Sequence, residues 1–264
     1  MKFYTSDQVE LDYDDCGAKN DPVIMILSGI GAYKESWKAT VAFLVQHHYR
    51  VINLDARNQG KSEHTNKGLR ISRHAVDLYE LQQQLEIKNP ILMGNSMGAS
   101  TMFAYVSLFG SENINGIIDV DQSPKMINDT NWQFGFKNIT WDDFYFQLQQ
   151  QFGKSTFKNI DNQLFNEMQE LKRDFPYDKN LNFPLLLDHA TQDWRSIIIN
   201  LHCPLLIVCG ANSPYFNPQF GQVVSNFSDS VETISINDAG HLVMDEQPEK
   251  FNAVILEWLN KIDK

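Results

Sequence analysis

The pentapeptide Gly94-Asn95-Ser96-Met97-Gly98 limits what this chain can fold into more than any other stretch, because an apolar run precedes it and a helical pattern follows it. Ile91, Leu92 and Met93, opened by Pro90, suit a short buried strand. From Met97 to Phe109 the apolar residues Ala99, Met102, Phe103, Val106 and Leu108 recur at helical spacing. Ser96 then falls on the turn between strand and helix. A turn that sharp holds its serine in an unfavourable backbone conformation and brings helix and strand so close that only glycine fits at Gly94 and Gly98. The serine hydroxyl stands free above the sheet, where a nucleophile is needed.

The remaining chain supplies a sheet for that turn. Phe3-Tyr4 and the alternating Val9, Leu11 and Tyr13 predict an opening hairpin of edge strands, with Cys16-Gly17 and Asp21-Pro22 as the following turns. Val23 to Leu27 and Val51 to Leu54 are continuous apolar runs separated by a helical stretch from about Ser36 to Gln46, and strand, helix, strand implies a parallel pair. Ser72 is a candidate cap for a helix through Ala75, Leu78, Leu81 and Leu85. Ile114 to Val120 is the next buried run. From Pro124 to about Trp194 the pattern changes to aromatic residues and glutamine at helical spacing with no convincing strand, which predicts a helical insertion. Leu205 to Cys209 resumes the buried strands, Val231 to Ile236 alternates as a strand nearer the edge does, and Glu249 to Ile262 closes with an amphipathic helix. The expectation is an α/β fold: a mostly parallel, doubly wound sheet of about eight strands, with a core of residues 1–123 and 195–264 and a helical lid, 124–194, inserted after strand 6.

With 264 residues one large core can be buried. Lys and Arg total 22 against 33 Asp and Glu, a formal charge of -11 without a basic block, so nucleic acid and anionic membrane are not expected partners. Cys16, Cys203 and Cys209 are odd in number and fit neither a disulfide framework nor a metal motif, and reduced thiols follow. Met1-Lys2-Phe3-Tyr4 lacks the apolar centre of a signal peptide, and no run approaches the ~18 residues that cross a bilayer, so a cytoplasmic location is expected. The sequence allows a homodimer as well as a monomer.

With this architecture the chain resembles the α/β-hydrolase superfamily over nearly its whole length, with motifs in the family's order. Ser28-Gly29-Ile30-Gly31 stands where the family usually has His-Gly after its third strand. Asp55-Ala56-Arg57-Asn58-Gln59-Gly60-Lys61-Ser62 is similar to the family's Asp-x-Arg-Gly-x-Gly-x-Ser loop. Ala239-Gly240-His241, followed by Glu246-Gln247-Pro248 and the last helix, resembles the segment that carries the catalytic histidine. Ser28 and Asn58 depart from the usual residues, and neither departure removes a group that reacts.

A serine hydroxyl is a poor nucleophile until an imidazole takes its proton, and His241 is the candidate base. His47, His48, His64, His74, His189 and His202 lie where a surface or capping histidine is expected. The acid that orients the imidazole commonly follows the seventh strand in this superfamily, but here that stretch reads Gly210-Ala211-Asn212-Ser213-Pro214, with Ser213 in the aspartate's place. Some branches, the haloalkane dehalogenases among them, place the acid one strand earlier. There the chain reads Ile117-Ile118-Asp119-Val120-Asp121. Asp119 and Asp121 share a face of that strand, and Asp121, nearer its carboxyl end, is the candidate; Asp193 and Asp238 are weaker ones. The resemblance puts the oxyanion donors at the backbone N–H groups of Ile30 and Met97.

These readings lead to a cofactor-free and metal-free serine hydrolase, a carboxylesterase taking a small-molecule ester of small to medium size through an acyl-enzyme on Ser96. Haloalkane dehalogenases and epoxide hydrolases of the superfamily carry an aspartate at the elbow, which Ser96 argues against. A C–C bond hydrolase of dienone-type substrates, whose elbow takes the same Gly-Asn-Ser-Met-Gly form, is the first alternative, beside lactonase, perhydrolase and aminopeptidase chemistry. From another class, a ligand-binding relative with an inactive triad is favoured only by the absent aspartate at Ser213. If aromatic residues of the insertion such as Trp132, Phe134, Phe136, Trp141, Phe144 and Phe146 face the cleft, part of the substrate is apolar.

Overall fold

The computed structural model describes residues 1–262. Eight strands among them form one sheet: β1 (Lys2–Tyr4), β2 (Glu10–Cys16), β3 (Val23–Leu27), β4 (Arg50–Leu54), β5 (Ile91–Asn95), β6 (Gly116–Val120), β7 (Leu205–Gly210) and β8 (Val231–Ile236). Their spatial order is β1-β2-β4-β3-β5-β6-β7-β8. The hairpin pairs are antiparallel and every pair from β4–β3 onward is parallel. One expectation changes: β2 is no edge strand, because β4 pairs with its far side and leaves β1 as the rim.

Alternation along the strands splits the core into two layers. Leu92, Ile117, Leu205 and Ile207 point to the face covered by α2 (Ile71–Gln84) and α3 (Met97–Phe109). Ile91, Met93, Ile118, Leu206 and Val208 point to the other face, with Trp258, Phe251 and Leu44. That second face is covered by α1 (Lys38–Gln46), entered through a 3₁₀ turn at Lys34–Trp37, and by the last helix. A parallel sheet buried on both faces needs such continuous apolar strands, and each fully buried Leu, Ile or Phe contributes about 2 kcal/mol.

Between β6 and β7 the chain makes α4 (Phe144–Gln149), α5 (Asn162–Asp174), α6 (Lys179–Ala190) and α7 (Arg195–Ile199). The only β pairing in this stretch, among the described residues, is a few isolated bridges. Its two ends meet, because Lys125 bridges Asp193 and the Trp194 N–H donates to the Pro124 carbonyl at 2.8 Å. After β7 come α8 (Gln219–Val224), α9 (Val243–Glu246) and α10 (Pro248–Ile262).

The expected cap at Ser72 is not used. Helix α2 begins at Ile71 after Arg70, without a side-chain cap of its own. The Asp188 carboxylate of α6 instead accepts the Ile71 N–H at 2.8 Å. An anion at a helix start satisfies a free donor and complements the macrodipole, so this contact ties the inserted helices to the sheet's covering layer.

Candidate active site

Strand β5 delivers Ser96 to the carboxyl edge of the sheet, where α3 begins. Ser96 has φ 54° and ψ -126°, a conformation that a residue with a side chain occupies only when its surroundings force it. The forcing is steric: a Cβ on Gly94 would lie 2.3 Å from the Gly98 carbonyl carbon, and one on Gly98 would lie 2.1 Å from the Leu27 carbonyl oxygen. Helix α3 thus packs directly on β3 and β5, and Ser96 is pushed out at the bend.

His241 follows β8, in the loop before α9. Its Nδ1 lies 2.7 Å from Oδ2 of Asp121, the residue just after β6. A carboxylate only accepts, so Nδ1 carries the proton and Nε2 is left with its lone pair, the arrangement a general base needs. Asp121 is wholly buried and has φ 55°. The Gly210 N–H donates to its Oδ1 at 2.9 Å, and the Ser213 hydroxyl donates to its Oδ2 at 2.6 Å. The aligned strand ends make this meeting possible, since β6 lies between β5 and β7.

The other acids lie elsewhere. Asp119 is buried on the same face, where its Oδ1 accepts the Gln122 N–H and burial pushes its carboxyl well above the usual carboxylate range. Asp193 pairs with Arg195, and Asp238 is an exposed partner of Lys158. Asn212 is exposed and holds the Ala239 carbonyl through its backbone N–H.

Met97 opens α3, so its N–H has no intrahelical acceptor. The Ile30 N–H makes no hydrogen bond among the described residues. The loop that carries Ile30 is held by Gln59, whose Oε1 accepts the Gly31 N–H at 2.6 Å. The two family departures are accommodated locally. Asn58 takes φ 66°, which asparagine tolerates better than most residues. Ser28 accepts from Trp37 Nε1 and donates to the Tyr33 carbonyl, each at 3.1 Å.

Ser96 and His241 line one cavity of about 660 Å³, walled by Gly29 to Tyr33 from the sheet side and by Met126, Phe136, Phe152, Phe165 and Leu186 from the inserted segment. Phe136 is thus the one aromatic residue among the six named from sequence that lines it; Trp141 and Phe146 are exposed elsewhere. Among the described residues no group of acids, histidines and cysteines is arranged to hold a metal ion, and no helix is long and apolar enough to cross a membrane.

A family model described as the alpha/beta hydrolase fold matches residues 22–248. The chain belongs to that family. Among its relatives, the sn-1-specific diacylglycerol lipase ABHD11 of Xenopus laevis is 27% identical over 268 residues, covering 93% of this chain and 83% of that protein. The non-heme chloroperoxidase of Burkholderia pyrrocinia is 32% identical over a shorter stretch of 103 residues, 39% of this chain and 37% of that protein. The solved esterase EaEST from Exiguobacterium antarcticum superposes with a TM-score of 0.84 over 98% of this chain and 99% of its own, at 20% identity, a likeness of fold. As an α/β hydrolase the chain is an enzyme of the hydrolase class with a small-molecule substrate, related to esterases, lipases and haloperoxidases.

The contacts of four residues at or beside this α/β-hydrolase site escaped sequence reasoning. Asn95 donates from Nδ2 to the Val120 carbonyl at 2.9 Å and to the His241 carbonyl at 3.1 Å, joining the end of β6 to the histidine loop. Glu246 accepts the Gly240 N–H on Oε1 and the N–H groups of Phe157 and Lys158 on Oε2. His189, expected at a surface or a helix cap, is buried in the cavity wall, and His74 is buried behind it. Burial lowers their pKa values to about 4 and about 3. Asn95, inside the pentapeptide, and Glu246, before Gln247-Pro248, stood within motifs of the sequence, and neither histidine carried any signal.

Proposed function

We infer that this α/β hydrolase cleaves carboxylic esters of small to medium size through an acyl-enzyme on Ser96, and so acts as a carboxylesterase. One observation carries the reading: a wholly buried carboxylate, Asp121, sits 2.7 Å from His241 Nδ1 while the ring shares a cavity with a serine in a strained turn. In this reading His241 Nε2 takes the Ser96 proton as the oxygen attacks the ester carbonyl. The Ile30 and Met97 N–H groups receive the oxyanion, and losing one such donor costs about 3 kcal/mol of transition-state stabilisation. The alcohol leaves with the proton from His241, which then activates water to release the acid. Asp121 holds the ring and stabilises the imidazolium.

Residues 124–194 act as a lid over a core of 1–123 and 195–264, a division supported by the meeting of the segment's two ends and its contribution to the cavity wall. A cytoplasmic location is part of this reading; among the described residues no helix is long and apolar enough to cross a membrane. A second reading, favoured by the likeness to the non-heme chloroperoxidase, uses the same acyl-enzyme but lets hydrogen peroxide replace water, giving a peracid and free Ser96.

The deciding experiment combines mass-resolved fluorophosphonate labelling with turnover of p-nitrophenyl acetate and butyrate. Label is expected on Ser96. Turnover is expected to vanish in Ser96→Ala, to fall about ten-thousandfold in Asp121→Asn, and to survive in Asn212→Ala. Turnover that persists in Ser96→Ala, or label on another residue, would sink the reading.

A further inference from the structure

Among the polar side chains of the cavity wall, that of His189 is almost wholly buried and has no hydrogen-bond partner among the described residues. His189 lies near the end of α6, is 3% exposed, and lines the same cavity as Ser96. Its Nδ1 is sealed from solvent without a hydrogen-bond partner. Its Nε2 also makes no hydrogen bond among the described residues, and, unlike Nδ1, is not sealed. The open space beside the residue is the cavity that it lines.

Leu185, Leu186 and Ala190 of the same helix are buried apolar neighbours in sequence, and Leu186, Met126 and Phe136 give the cavity apolar surface. His74, whose ring nitrogens also have no partner among the described residues, is buried behind His189. A leucine or phenylalanine would complete such a wall without an orphaned polar group. A neutral imidazole carries one N–H and one lone pair, and burial keeps this ring neutral down to about pH 4. Placing the proton on Nδ1 would bury a donor that has no acceptor. Placing it on Nε2 leaves only a lone pair sealed at Nδ1 and turns the donor toward the cavity, the less costly arrangement.

We propose that His189 is a specificity-determining residue whose Nε2–H donates a hydrogen bond to an oxygen acceptor on the substrate, a ketone or ether oxygen set away from the scissile carbonyl. The assignment rests on the ester-hydrolase reading of Ser96 and narrows its substrate class. Esters that carry such an oxygen are taken in preference to plain alkyl esters of the same length.

Matched esters test this on the purified full chain. On the acyl side, p-nitrophenyl 4-oxopentanoate and 5-oxohexanoate are compared with the pentanoate and hexanoate. On the alcohol side, 2-methoxyethyl acetate is compared with butyl acetate by pH-stat. Wild type should favour the oxygen-bearing member of at least one pair by about threefold to tenfold in kcat/KM, the range a neutral hydrogen bond supplies. The preference should reside in KM and persist from pH 6 to 9, where the ring stays neutral. His189→Phe should bring the ratio to one, and His189→Gln, which keeps a donor, should retain part of it. Because each ratio is taken within one variant, a loss of folded enzyme cancels. Equal ratios in wild type and His189→Phe would overturn the assignment and leave the ester-hydrolase reading intact. A wild type that turns over none of these esters and takes no fluorophosphonate label would remove both.

Discussion

Ser213 donates its hydroxyl to the same Asp121 oxygen that meets His241, at 2.6 Å beside the 2.7 Å contact to the imidazole. The position where the superfamily commonly has its acid is therefore occupied by a donor that supports an acid one strand away. An aspartate at 213 would set a second carboxylate against a buried one. Serine removes that repulsion and fills the lone pairs of Asp121 together with the Gly210 N–H.

On the proposed triad, removing this donor should weaken His241 as a base without displacing Ser96. Ser213→Ala is expected to lower kcat on p-nitrophenyl butyrate about tenfold, the low end for a hydrogen bond to a charged group, while Ser213→Thr keeps most of the rate. Steady-state kinetics decide it. An alanine variant as fast as wild type would mean that Gly210 alone suffices.

Asn95 bridges two carbonyl oxygens, one at the end of β6 and one in the loop that carries His241, and an alanine there releases both from the amide. Asn95→Ala should lose about 2 kcal/mol in urea unfolding, since the buried His241 carbonyl goes unpaired, while that of Val120 keeps the Ser96 N–H at 3.1 Å. Its kcat should fall with little change in KM, because the His241 backbone is the group released. An unchanged unfolding midpoint would refute this.

Glu246 holds three backbone N–H groups, one beside His241 and two in the inserted segment. In Glu246→Ala the amides of Phe157 and Lys158 should exchange hydrogen at least tenfold faster, and KM for esters should rise. Mass-spectrometric exchange on that peptide is the check. Protection equal to wild type would show that the His241 N–H to Ser155 carbonyl bond, 2.9 Å, holds the segment alone.

Buried titratable groups of opposite sense make stability depend on pH in separable ways. Burial raises the Asp55 carboxyl from 3.8 to about 7, so between those values the native chain keeps a proton that the unfolded chain has shed. Its stabilising contribution is full below pH 3.8 and lost as the pH rises to 7. His74 is held neutral, its pKa lowered from 6.5 to about 3; its contribution is full above pH 6.5 and lost as the pH falls. Over pH 4 to 6.5, Asp55→Asn should gain on wild type by about 1.4 kcal/mol per pH unit as pH rises, and His74→Leu should lose by the same slope. Urea unfolding at four pH values measures both. Parallel curves for all three proteins would contradict the assignment.

The strands were legible because a sheet buried on both faces demands apolar runs, and the bend at Ser96 because only glycine tolerates those contacts. Asp119 and Asp121 could be separated by strand direction alone. What could not be read depends on elements that meet only in the fold. Nothing near Ser72 announces that Asp188, on a helix far along the chain, will cap α2. His74 and His189 have the surroundings of surface residues in one dimension, and packing between α2 and α6 buries them. Asn95, Glu246 and Ser213 act through backbone groups or a carboxylate in other segments, where no local pattern marks a partner.

The Glu246 carboxylate grips the backbone beside the imidazole with one oxygen and the inserted segment with the other, and the His241 N–H reaches into the same segment at Ser155. Lifting that segment off the cavity cannot leave the histidine loop as it was. On the proposed reading, with His241 as base and residues 124–194 as lid, access to Ser96 and the readiness of its base become one mechanical variable: a chain opened at this point would admit water and substrate while its proton acceptor is out of register, and would become competent only as the segment settles back.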